Sequence, residues 1–294
     1  LLLIMSLWRW RQLAPEMTFN ITSVSLEKLR PMLSMSAWVL INTLGGILYL
    51  RIDAYLVNKY ISASASGQYS AIMQINQLMR AAGVTLSGVL SPLCIIYYSR
   101  GEIEKLTQLL KIGVKAMTVF LAVPLAVLCA FSSNILVLWL GDEFKAFGTL
   151  MFMQLAPLVV NIGVHPLFAL STATNNVKYP AFVTCILGVG NFALALAFIK
   201  FTSLGMYGVV IAGATMLTLK NAIFTPVYSA SILNLKRATF VGPLIVGIVI
   251  FGLYYALCVA LSSVFYCKSI LVLVLVFAVL TIVGYTPALL IGFK

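Results

Sequence analysis

Residues 240–263 read FVGPLIVGIVIFGLYYALCVALSS, a continuous run without a charged side chain. An α-helix rises about 1.5 Å per residue, so about 20 apolar residues cross the hydrocarbon core of a bilayer. The run does not alternate between apolar and polar residues, as a strand of a membrane barrel does. This stretch therefore predicts a membrane-spanning α-helix.

The rest of the chain has the same character. Hydrophobic residues make up 62% of the sequence, charged residues 9%, and the mean hydropathy is +1.07. Soluble domains carry about 25% charged residues, so lipid has to be the solvent here. The predicted spans, named A to H, are approximately 34–58, 66–98, 108–131, 147–172, 180–200, 205–231, 240–263 and 269–292. The expected fold is an all-α polytopic transmembrane bundle of about eight spans.

The segments outside these spans are short. Leu1–Leu7 followed by Trp8-Arg9-Trp10-Arg11 predicts the end of a preceding span at a basic interface, so we expect the chain to be part of a longer protein. The polar stretch 14–31 indicates a connector before span A. Residues 134–143 are too short to cross a bilayer, and Trp139 is typical of a helix lying at the membrane interface.

The basic residues predict the orientation of the spans. One set of connections carries twelve of them, which are Arg9, Arg11, Lys28, Arg30, Arg100, Lys105, Lys111, Lys115, Lys178, Lys236, Arg237 and Lys294. The opposite set carries Lys59, Lys145, Lys200 and Lys268. Basic residues concentrate on the cytoplasmic side, so both ends of the chain are expected in the cytoplasm. The same pattern explains the net charge of +12 without a nucleic-acid partner.

Sequence motifs for catalysis are missing. The seven acidic residues form no DDxxD or HExxH pattern, and neither a phosphate-binding GxxxxGK nor a nucleophile elbow occurs. The five cysteines are scattered, and none has the spacing of a metal site. We therefore expect no catalytic residues, no metal and no cofactor.

Charged residues inside the spans are the candidates for function. Charges at this depth are costly, and they usually face the bundle interior or a water-filled cavity. Arg80 and Lys220 lie 14 and 15 residues from the outer ends of spans B and F, roughly 21–23 Å deep. This similar depth predicts a positively lined cavity for an anionic group. The alternative is that one cation pairs with Asp53 while the other reaches out to the interface.

Asp53 has two interpretations, which are coupling to an ion and a structural pair with Arg51 or Arg80. Further polar side chains within the spans are candidates for the cavity wall, namely Gln77, Asn161, His165 and Asn221. The competing explanation for them is hydrogen bonding between helices.

Several segments resemble the polysaccharide and O-antigen flippases, which belong to the superfamily of multidrug, oligosaccharidyl-lipid and polysaccharide exporters. The best marker is SAWVLINTLGGILYLRIDAYLVNKYISASASGQYSA at 36–71, with its Asp followed by the GQYS turn. Further segments that are similar in order and spacing are YYSRGEIEKL (97–106), LSTATNNVKYPAFVTCILGVGNFALAL (170–196) and GMYGVVIAGATMLTLKNAIFTPVYSASIL (205–233).

The resemblance implies an organisation and a function. Members have two six-helix lobes, often followed by two helices, so 32–232 would be the C-terminal lobe and 233–294 the additional pair. Residues 1–31 would then hold the end of the preceding span and the connector. The implied function is alternating-access transport of an undecaprenyl-diphosphate-linked oligosaccharide across the plasma (inner) membrane, with membrane lipid around it and a polysaccharide polymerase and other assembly proteins as partners. The diphosphate would suit Arg51, Arg80 and Lys220.

Three other functions stay open on the sequence. A cation-coupled multidrug antiporter of the same superfamily needs acidic residues in the membrane, and Asp53 is the candidate. A membrane glycan polymerase or ligase tends to have a large external loop, which this sequence lacks. A scaffold without transport predicts that its buried charges neutralise one another.

Overall fold

The computed structural model describes residues 2–13, 26–262 and 269–292, and within these ranges the chain is helical without a strand. The α-helices are α1 (Leu2–Leu13), α2 (Leu26–Leu50), α3 (Ile52–Tyr60), α4 (Ala63–Gly88), α5 (Leu90–Ser99), α6 (Ile103–Ala130), α7 (Ser132–Leu140), α8 (Gly148–Leu155), α9 (Leu158–Gly163), α10 (His165–Ala173), α11 (Lys178–Phe201), α12 (Met206–Leu219), α13 (Thr225–Ile232), α14 (Val241–Ser262) and α15 (Ile270–Gly292). A 3₁₀-helix covers Asp142–Phe147, and a π-helical segment covers Lys220–Phe224. The all-α prediction is confirmed.

Seven segments of the described chain are long and apolar enough to cross a membrane. They are Leu33–Tyr60, Ala63–Ser99, Ile103–Ala130, Asp142–Ala173, Lys178–Phe201, Met206–Ile232 and Val241–Ser262. A shorter apolar helix, Val272–Thr286, lies within α15 at the position of span H. These segments correspond to the predicted spans, and the chain is a multi-pass membrane protein. The greater part of the predicted connector, 14–25, lies outside the described residues.

Several spans are interrupted rather than continuous. The break between α8 and α9 falls at Pro157, and Pro166 stands in the first turn of α10. Proline cannot donate the backbone hydrogen bond of a helix interior, which accounts for these breaks. The break between α2 and α3 falls at Arg51, where no proline occurs. Such breaks place polar backbone and side chains inside the bundle.

The centre of the bundle is α6. Its buried face packs against α9 and α14, and Leu244 of α14 belongs to a hydrophobic cluster that also contains residues of α6. Thr118 of α6 lies between Gly163 and Gly247, and an added Cβ atom at either glycine would collide with its side chain. Small residues at helix contacts let membrane helices approach closely, so Thr118 fixes the distance between these three helices.

Gly247→Ala is expected to destabilise the bundle by about 1–3 kcal/mol, the usual cost of overpacking a core. A Cβ atom at Gly247 would lie 2.9 Å from the backbone carbonyl carbon of Thr118, so a side-chain rotation alone cannot relieve the collision. Gly252 lies on the same helix with open space around it, and Gly252→Ala is the matched control. The measurement is the midpoint of thermal unfolding in detergent. Equal midpoints for the two variants would contradict this packing.

Candidate functional site

The interior of the bundle contains a small cavity between α3, α4, α8, α9 and α12. It has a volume of about 40 Å³, and its walls include Asp53, Tyr69, Arg80 and Asn161. A water molecule needs about 10–15 Å³ on this scale, so the cavity has room for a few waters or a small ion. We call it the Asp53–Arg80 cavity.

Asp53 lies in the first turn of α3, directly after the break at Arg51, and only 5% of it is exposed. The hydroxyl of Tyr69 donates to its Oδ2 over 3.1 Å, and Asn191 Nδ2 donates to its Oδ1 over 3.3 Å. Gly213 lets α12 approach, because a Cβ atom there would lie 3.3 Å from Oδ2. These partners are neutral, and within the described ranges neither Arg51 nor Arg80 forms an ion pair with Asp53.

Several polar atoms near this carboxylate have no hydrogen-bond partner among the described residues. They are the hydroxyl of Tyr49, both side-chain polar atoms of Gln154 and the Oδ1 atom of Asn191. Tyr49 and Gln154 line the cavity. Buried polar groups are normally hydrogen-bonded, so the wall of this cavity suits a polar occupant.

Arg80 is held on the other side of the same cavity. Its Nε atom donates to Asn76 Oδ1 over 2.7 Å, and Asn76 Nδ2 donates to the carbonyl of Gln154 over 2.7 Å. The guanidinium is thereby tied to α8. In the part of the chain that is described, no carboxylate lies within ion-pair distance of it. Arg80 is thus a positioned cation whose charge the described residues leave uncompensated.

Lys220 lies in a different cavity. Its side chain is 8% exposed and its Nζ atom lies 5.4 Å from the centre of the Phe168 ring. The surrounding cavity, of about 190 Å³, is bounded by α2, α10 and the start of α11. This separation differs from the single cavity that the similar depth of Arg80 and Lys220 predicts.

A chain of hydrogen bonds runs from the Asp53–Arg80 cavity to the residue next to Lys220. Asn161, which lines the Asp53–Arg80 cavity, donates to the hydroxyl of Thr218 over 3.3 Å and accepts from Asn221 Nδ2 over 3.1 Å. Asn221 follows Lys220 and accepts from the hydroxyl of Thr225 over 3.4 Å. Hydrogen bonding between helices, the competing explanation for the polar residues of the spans, therefore accounts for the contacts of Asn161 and Asn221.

His165 packs against the aromatic ring that Lys220 also approaches. Its ring centre is 5.2 Å from that of Phe168, and Lys220 Nζ lies 5.4 Å from the centre of the same ring. Arg80 and Lys220 thus line separate cavities, and His165 contacts Phe168 at the wall of the second one.

Arg51 and Gln77 are exposed on the surface of the bundle. Gln77 belongs to a polar stripe on α4 with Ser70 and Gln74, which are exposed at helical spacing within a span. Polar side chains are costly against lipid, so this stripe favours contact with water or with protein. The structure does not bring Arg51 into either cavity.

Sequence reasoning missed the partners of Asp53 as site residues. Tyr69 belongs to the GQYS motif at 67–70 that carries the family resemblance, so its signal was present. The turn expected at this motif is wrong, because the structure places 67–70 within α4. Tyr49 and Gly213 gave no comparable signal, because apolar spacing alone does not separate a cavity wall from the core.

Comparison with known proteins supports the resemblance. Residues 1–149, which include Asp53 and Arg80, match the family model described as polysaccharide biosynthesis protein. A curated relative, the uncharacterized membrane protein EpsK of Bacillus subtilis (strain 168), is 36% identical over 245 residues, which cover 82% of this chain and 48% of the relative. The chain thus spans about half the length of that relative. No solved structure matches the chain. The chain belongs to the polysaccharide biosynthesis protein family of membrane proteins.

Proposed function

We propose that this chain is one half of a flippase that carries an undecaprenyl-diphosphate-linked oligosaccharide across the plasma membrane during synthesis of a cell-surface polysaccharide or O-antigen. The observation that carries the proposal is Arg80. It is a cation in mid-span that Asn76 holds in place and that has no carboxylate partner among the described residues. Keeping such a charge inside a membrane is costly, which favours a functional role for it.

The chemistry of the ligand fits this cation. A diphosphate carries negative charge and several acceptor oxygens, and an arginine can bind two of them with paired N–H groups. The glycan needs polar contacts, for which the stripe of Ser70, Gln74 and Gln77 is suited. The interrupted spans support movement between inward-open and outward-open states, because breaks in membrane helices absorb changes of angle.

The proposal also covers the orientation of the chain and its partners. We place both ends of the chain in the cytoplasm and expect a polysaccharide polymerase and other assembly proteins to receive the transported glycan. The proposed activity is transport rather than catalysis. The diphosphate-linked glycan is the cargo and leaves chemically unchanged.

A cation-coupled multidrug antiporter of the same superfamily is the second candidate, and Asp53 favours it. A carboxylate that is 5% exposed and has only neutral partners can bind a coupling cation. The two functions differ in cargo. An antiporter exports cationic dyes, whereas a glycan flippase leaves dye accumulation unchanged.

The proposal is tested with the intact protein in proteoliposomes that contain a fluorescent undecaprenyl-diphosphate oligosaccharide. We expect the labelled head group to become accessible to a membrane-impermeant quencher faster than in empty vesicles. Protein that is folded in the vesicles but does not raise this rate would contradict the proposal. Export of ethidium by the same vesicles would favour the antiporter instead.

A further inference from the structure

The cavity around Lys220, which we call the Lys220 pocket, contains an unpaired cation. The side chain is more than nine-tenths buried, and it lines a space of about 190 Å³. Across residues 26–262 and the other described ranges, no carboxylate lies within ion-pair distance of it, and its nearest aromatic partner is Phe168. A buried ammonium group without an anion is costly, so an anionic ligand would stabilise this site.

Lys220 begins an irregular segment of span F. The π-helical segment Lys220–Phe224 interrupts span F, and Pro226 follows it in the first turn of α13. Proline removes a backbone donor, and the wider π turn lets the helix continue past it. Lys220 and Asn221 are both buried, and the bond from Asn221 to Asn161 anchors the segment. Such π segments occur frequently at functional sites.

The walls of the pocket are amphiphilic. Asn42 and Ser171 contribute polar groups, whereas Val39, Phe168 and Pro180 contribute apolar surface. Val39 is 46% exposed and Phe168 is 36% exposed, and both belong to candidate membrane spans. The pocket therefore opens at the surface of the bundle within the membrane-spanning region.

A second cation lies near the opening. Lys178 begins α11 directly after the pocket residue Val177, and its Nζ atom lies 5.5 Å from the ring centre of Trp38. The described part of the pocket contributes no negative charge. An exposed lysine next to the pocket residue Val177 adds to the attraction of Lys220 for a ligand that carries more than one negative charge.

We propose that the Lys220 pocket is a second phosphate-binding site, separate from the Asp53–Arg80 cavity, which accepts the phosphate end of a polyprenyl-phosphate lipid from the surrounding bilayer. The apolar walls favour a lipid over free phosphate, because hydrocarbon can cover Val39 and Phe168 while the phosphate contacts Lys220. This inference rests on the proposed function for the identity of the lipid. It adds a site at which the carrier is held before or after the glycan occupies the Arg80 side.

The test measures binding rather than transport. Geranylgeranyl diphosphate is titrated against the intact protein in detergent, and its affinity is measured by native mass spectrometry. We expect Lys220→Gln to weaken binding at least ten-fold, because it removes the buried charge, roughly the effect of losing one charge-assisted hydrogen bond. Lys236→Gln is the control, since this lysine is exposed in the turn after α13. Equal affinities for the two variants would overturn the site.

A second variant guards against misfolding of the lysine mutant. Asn42→Leu narrows the pocket from an exposed position of α2, so the core is untouched, and it is expected to weaken binding as well. Thr43→Leu changes the neighbouring exposed residue outside the pocket and should leave the affinity unchanged. The proposed opening would be contradicted if both variants bind normally, or if both lose binding.

Two further ligands identify the chemistry. Geranylgeraniol lacks the phosphate and should bind at least ten-fold more weakly, whereas inorganic diphosphate lacks the chain and should compete poorly. Inorganic diphosphate that competes as well as the lipid would overturn the assignment to a lipid. Intact binding together with absent transport in proteoliposomes would reject the proposed function and leave this site standing.

Discussion

Replacing Arg80 by glutamine is expected to slow translocation of the lipid-linked glycan by about 10- to 100-fold, the equivalent of losing a charge-assisted contact of about 1.5–3 kcal/mol. Glutamine keeps a side chain that can donate to Asn76 Oδ1, the partner of Arg80 Nε over 2.7 Å. The variant therefore removes the charge while it preserves the bond that holds the side chain. The measurement is the initial rate of head-group translocation by the intact protein in proteoliposomes.

Two further variants separate charge from structure. Arg80→Lys keeps the positive charge and should recover part of the rate, but not all of it, because an ammonium group cannot bind two phosphate oxygens side by side as a guanidinium does. Arg100→Gln removes an exposed arginine beyond α5 and should transport at the wild-type rate. If Arg80→Gln transports at the wild-type rate at an equal protein level, Arg80 has no role in transport, and the flippase proposal loses its main support.

The arrangement of the two cations has a consequence for the transport cycle. Arg80 and Lys220 lie in separate cavities, and Asn161, which lines the cavity of Arg80, bonds to Asn221, the residue after Lys220. On the proposed function, phosphate would occupy the two cavities in succession rather than one shared site.

The helical architecture could be predicted from the sequence because each span carries its own signal. A run such as 240–263 is apolar enough to specify a membrane helix without knowledge of its neighbours. The prolines likewise indicate where span D is interrupted, and the structure has breaks at Pro157 and just before Pro166. The break at Arg51 has no such marker and depends on the packing of α3 against α4 and α11.

The candidate site could be predicted only in part, because its contacts join distant residues. Asp53 is conspicuous as an acid within a span, but its partner Asn191 lies 138 residues away. Equal depth predicted one cavity for Arg80 and Lys220, yet depth says nothing about which side of a helix faces which cavity. The π turn that begins at Lys220 changes the helical register of the residues after it, so a regular helix would misplace the side chains of the following part of span F.

Asp53→Asn is expected to reduce transport at least ten-fold and to leave the stability of the bundle equal or higher. The amide can accept from Asn191 through its oxygen and donate to the oxygen of Tyr69, so both hydrogen bonds of the carboxylate are replaced. The negative charge is lost, and the hydroxyl of Tyr69 accepts a hydrogen bond from residue 53 instead of donating one. An unpaired carboxylate that is 5% exposed lowers stability, so its presence favours a role in binding a coupling cation.

Asp53→Ala distinguishes that role from a structural one. Alanine leaves the hydroxyl of Tyr69 and the amide of Asn191 without their acceptor, which costs about 1–3 kcal/mol for each donor, so this variant should unfold at a lower temperature. The decisive readout is the dependence of transport on imposed sodium and proton gradients. Wild-type protein should respond to one of them and Asp53→Asn to neither. If Asp53→Asn keeps both the rate and the gradient dependence, the carboxylate serves only to join α3, α4 and α11, because its hydrogen bonds would then be sufficient without its charge.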